Sequence, residues 1–146
     1  MTVTHLTKAD IALSQLNLAM GFYLQGRELV AAITLAGAAE EILGKLCEQQ
    51  GLRSSLKREA ESGRALYMHL WKNDPGTKPF VDLKNKTRNE VKHLISGAPI
   101  EIDLEAEAGR LIARSVENYR SLFGTETPKM RQFQRKRLRP YAMHGV

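Results

Sequence analysis

Arg88, Asn89 and His93 stand within six residues of one segment, "TRNEVKHL" (Thr87 to Leu94). Together they are a set that can hold and cleave a phosphodiester. A guanidinium grips phosphate oxygens with a planar fork of donors, and an imidazole gives and takes protons near neutrality. The same residue types also make an ordinary solvated helix face. Which of the two applies depends on the elements that carry them.

Other chemistries have less to work with. "EVKH" (Glu90 to His93) is formally an E-x-x-H, but di-iron bundles need a second copy and two further inward glutamates, which the sequence lacks. There is no glycine-rich phosphate loop, no H-E-x-x-H and no Cys/His metal spacing, so the expectation is no metal and no cofactor. His5 and His144 are terminal, and His69 beside Trp71 reads as a packing or surface residue. Cys47 lies on an apolar row and reads as core rather than nucleophile.

The elements are helical. Alternating apolar runs and Asn-Gly or Asp-Gly hairpin turns are missing. Thr7, with Asp10 three positions on, opens a helix over 8–25 that breaks at Gly26. A second, apolar almost all round at its centre, spans 27–50 and closes at Gly51. Ser54 and Ser55 open a third over 55–72, weakened by Gly63. Pro79 starts a fourth that runs to Ser96, and Asp103 caps a fifth over 104–123. The expected fold is all-α, an up-and-down bundle of four to five helices over residues 1–125, followed by a basic tail over 126–146.

At about 100° per residue, Phe80, Leu83, Thr87, Val91 and Leu94 share a stripe that should face the core. Asn89 then points away, and Arg88 and His93 flank the stripe on opposite sides, roughly 140° apart. The polar set should face solvent or a partner, with Arg88 continuing a basic row of Lys84 and Lys92. On the second helix Glu40 shares a stripe with Ile33, Ala36, Gly37, Gly44 and Cys47. A carboxylate there either meets a cation such as Arg88 or reaches water at the bundle edge. Glu41 falls on a different row and should form an exposed pair with Lys45.

Apolar residues at 42% and charged residues at 26% are the balance of a soluble globular protein. No apolar run nears the ~20 residues of a membrane span, and the first residues do not read as a signal peptide. With a single cysteine, a cytoplasmic setting is the expectation. The net charge of +6 is uneven: six of the 22 basic residues lie between Lys129 and Arg139, and the remaining 16 balance the 16 acids. Such a run binds phosphate backbones, stays solvated, or docks through Phe133, Leu138 and Tyr141.

"RNEVKH" resembles the R-x4-H motif of the HEPN superfamily (higher eukaryotes and prokaryotes nucleotide-binding), in the form where a polar residue follows the arginine. "AITLAGAAEEILGKL" is similar to the second helix of several prokaryotic HEPN-like proteins, and the resemblance covers roughly residues 8–123. It implies a helical bundle that forms a homodimer, with two motifs meeting in a cleft. It further implies either a metal-independent endoribonuclease acting on single-stranded RNA or a non-catalytic module that binds a nucleotide or a protein, including an antitoxin-like partner. By family match Arg88 contacts the scissile phosphate, Asn89 orients substrate or motif, and His93 is the acid/base group; Glu40, from its inward row, is the expected supporting residue. Lys84, Lys92, Arg135, Lys136, Arg137 and Arg139 are the expected RNA-binding cations. Glu90 inside the motif is a departure, because a carboxylate there repels RNA unless Lys86 or Arg88 neutralises it.

Overall fold

The computed structural model describes residues 1–93 and 97–142. Those residues form an all-α bundle of six helices: α1 (Lys8–Gln25), α2 (Leu29–Gln49), α3 (Ser55–Trp71), α4 (Lys78–Lys92), α5 (Leu104–Phe123) and α6 (Pro128–Ala142). The expected Leu94 contact, the Ser96 helix end, His144 and the Tyr141 side chain lie outside what is described.

Local chemistry sets most of the boundaries. Thr7 and Asp10 form a reciprocal capping box on α1, and Gly26 ends it in the left-handed region at φ 64°. Ser54 and Asp103 cap α3 and α5 by accepting from the backbone N–H groups of Lys57 and Ala106. Gly124 closes α5 at φ 69°.

The core lies where α2 packs against α1 and α5, built from Leu16, Met20, Ile33, Leu43, Leu111, Ile112 and neighbouring alanines. The α3–α4 pair leans on this core through α4 on α2 and α3 on α5. The two helices approach closely at Gly63, where an added Cβ would stand 2.7 Å from Phe80 Cδ1. The glycine that lowers helix propensity in α3 is thus the seat of an aromatic ring from α4.

Residues 128–142 form a sixth helix, beyond the four or five expected. Thr127 Oγ1 accepts from the Met130 N–H, Pro128 supplies a first residue that needs no intrahelical donor, and Met130 and Phe133 are fully buried. Lys136 Nζ donates to the Tyr23 carbonyl at 2.6 Å and sits 4.6 Å from the Tyr23 ring centroid, whose edge meets Phe133. A cation thereby reaches an end carbonyl of α1, where the helix dipole is negative. Of the three readings of this segment, docking on the body through Phe133 is the one observed, while Leu138 stays exposed.

Candidate functional site

The α4 helix is turned differently from the apolar stripe. Leu83 is 69% exposed, whereas Asn85 is buried and the Arg88 side chain is only 16% exposed. Arg88 is therefore not on a solvent-facing row, a correction to the sequence reading. The cause lies on α2. Gly37 offers no side chain, so the Arg88 stem lies directly on the helix, and a Cβ at Gly37 would come within 2.7 Å of Arg88 Cδ. One turn further along α2, Glu40 Oε2 accepts from Arg88 Nη1 at 3.3 Å. Of the two environments open to Glu40, the cationic one is realised. Glu41 pairs with Lys45 at 3.0 Å on the exposed side, as its row requires.

Arg114 of α5 is the residue that periodicity alone missed. Its side chain is 3% exposed, and its guanidinium stands 3.7 Å from Glu40 Oε1 and 3.8 Å from Glu59 Oε2. Lys84 in turn meets Glu59 at 3.3 Å. A chain of alternating charge thus runs Arg88, Glu40, Arg114, Glu59, Lys84 across α4, α2, α5 and α3. Burial pushes the Glu40 carboxyl above its ordinary pKa, and the fields of Arg114 and then Arg88 pull it only part of the way back. A signal for Arg114 did exist in the sequence. Glu107, Leu111, Arg114 and Asn118 follow one another at three- and four-residue steps, and all four are buried.

The remaining motif residues divide. Asn89 is half-buried. His93 is exposed and lies just past α4 as its C-cap, with extended backbone (φ −129°, ψ 146°). The described helix ends at Lys92, and His93 follows its last turn instead of riding on it. The cavity lined by Arg88, Glu40 and Asn85 does not include His93. Glu90 is half-buried and makes no ion pair among the described residues.

Of the other expected cations, Lys92, Arg135, Arg137 and Arg139 are exposed, and Lys136 is turned toward Tyr23. Cys47 is fully buried, and burial pushes its thiol pKa up, as suits a core residue. Among the described residues no helix is long and apolar enough to cross a membrane. No family model, no curated protein and no solved structure matches the chain.

Proposed function

We propose that the chain is a HEPN-like protein acting on single-stranded RNA as a metal-independent endoribonuclease, with Arg88, Asn89 and His93 completed by the same residues of a second copy. The observation that carries this reading is the grip of Glu40 on Arg88. A guanidinium anchored through one nitrogen keeps its remaining donors in a fixed plane, which is the preorganisation a phosphate clamp needs. His93, exposed past the end of α4, is open to substrate and to a partner chain. In this scheme an imidazole takes the 2′-hydroxyl proton. The 2′-oxygen attacks phosphorus, the bond to the 5′-oxygen breaks, and that oxygen receives a proton. Arg88 stabilises the charge that builds on the non-bridging oxygens.

The all-helical bundle is consistent with the family, and the absence of His93 from the lining of the Arg88 cavity supports a site shared between two. A second reading, a non-catalytic dimeric module for a nucleotide or protein partner, draws on the same Glu40 contact, which neutralises part of the Arg88 charge.

Product analysis on a short RNA separates the two. The enzyme reading expects 2′,3′-cyclic phosphate and 5′-hydroxyl ends, with no cutting of DNA of the same sequence. Binding of RNA without any cleavage would leave the module reading in its place.

A further inference from the structure

A cavity of about 320 Å³ opens between α4 and α5, lined by Leu83, Lys84, Lys86, Thr87, Glu107, Arg110 and Arg114. Nothing in the R-x4-H motif calls for it. Four of its residues are cationic. Its one carboxylate, Glu107, is only 8% exposed and is taken by Arg110 at 2.5 Å. Lys86 is exposed and has no ion-pair partner among the described residues.

Arg114 is the decisive member. It is buried, its nearest carboxylate oxygens stand at 3.7 and 3.8 Å, and neither its Nε nor its Nη2 has a hydrogen-bond partner among the described residues. Two carboxylates face its charge, yet two of its donors are left without a hydrogen bond, which is uncommon at a buried site. Within the lining four cations meet one carboxylate, Glu107; Glu59 is shared by Lys84 and Arg114, Glu40 by Arg114 and Arg88, and Glu90 and Glu101 line a neighbouring cavity that Lys86 and Thr87 also border.

From this geometry we infer that the α4–α5 cavity is a phosphate-binding site, taking the phosphoryl group of a nucleotide or of single-stranded RNA. Lys86 and Arg110 supply direct contacts at the rim, and the Thr87 hydroxyl a further donor. Arg114 supplies the fixed field beneath, and exposed Leu83 gives apolar surface for a sugar or base beside the phosphate. For the choice of ligand this rests on the RNA reading above. It does not require the chain to cut RNA.

The test is fluorescence anisotropy of the full wild-type chain with a labelled 2′-O-methyl RNA decamer, which carries phosphates but cannot be cleaved through its 2′-oxygen. Failure of the nuclease reading therefore leaves it intact. Lys86→Glu changes an exposed residue and should weaken binding about tenfold or more. Lys86→Gln with Arg110→Gln should lower the slope of log K against log salt by about 0.7 for each contact removed. Lys8→Glu, an equal charge change at an exposed position on α1, should weaken binding less than twofold. Competition by adenosine monophosphate at micromolar concentration would identify a nucleotide site, and competition by oligomers alone a backbone site; both keep the proposal. It is overturned if the wild-type chain binds no decamer, if Lys86→Glu binds like wild type, or if Lys8→Glu loses as much.

Discussion

A Cβ added at Gly37 would stand 2.7 Å from Arg88 Cδ and 2.9 Å from Cγ, both in the middle of the side chain rather than at its free end. Gly37→Ala must therefore shift Arg88 off the α2 surface and away from Glu40. An overpacked contact of this kind costs about 1–3 kcal/mol. Chemical denaturation should show that loss, and any activity that needs a placed guanidinium should fall with it although no motif residue has changed. A second residue-scale prediction concerns the α3–α4 connection. Asp74 accepts from Arg64 at 2.5 and 2.7 Å and from the Gly76 N–H, which together lower its pKa from 3.8 to about 2. The folded value is depressed, so this contribution to stability is present above the ordinary carboxylate range and is lost as pH falls through about 2. Carbon-detected NMR titration should place the Asp74 midpoint near 2, and Arg64→Gln should return it toward the ordinary value.

Between elements, the charged chain linking α2, α4 and α5 is one place where a single change should cost several kcal/mol. Glu40→Ala would leave buried Arg114 and largely buried Arg88 without their shared anion, a loss of about 3–5 kcal/mol in an unfolding experiment. On α6, Phe133→Ala removes a fully buried ring that meets Tyr23 edge-on, and should cost about 3–5 kcal/mol. These two sites also mark where the sequence was readable and where it was not. The starts of α1, α3 and α5 were legible because Thr7, Ser54 and Asp103 act within one turn. The inward row of Glu40 was legible because its neighbours are small and apolar. The facing of α4 was legible only in part: Val91 packs on the core as its stripe requires, but a stripe count also credits exposed Leu83 and gives no weight to an arginine whose counter-ion lies 48 residues away. The α6 helix was obscured by its charge. Its two buried residues, Met130 and Phe133, are sparse among six cations, although Thr127-Pro128 does mark its start.

For the whole molecule, assembly is the question, because the proposed site needs a second copy. Light scattering should give twice the 16.4 kDa chain mass. Chains carrying Arg88→Ala and His93→Ala, refolded together, should regain cleavage that neither shows alone, because one of the two composite sites is then intact. Absence of any recovery would confine the chemistry to single chains. The most direct measurement for the central claim is the rate of RNA cleavage in excess EDTA by wild-type protein and by His93→Ala. His93 is exposed and outside the core, so the variant should stay folded. Removing a positioned acid/base should lower the rate by about 10²–10⁴. A His93→Ala protein that cuts RNA at the wild-type rate would contradict the account.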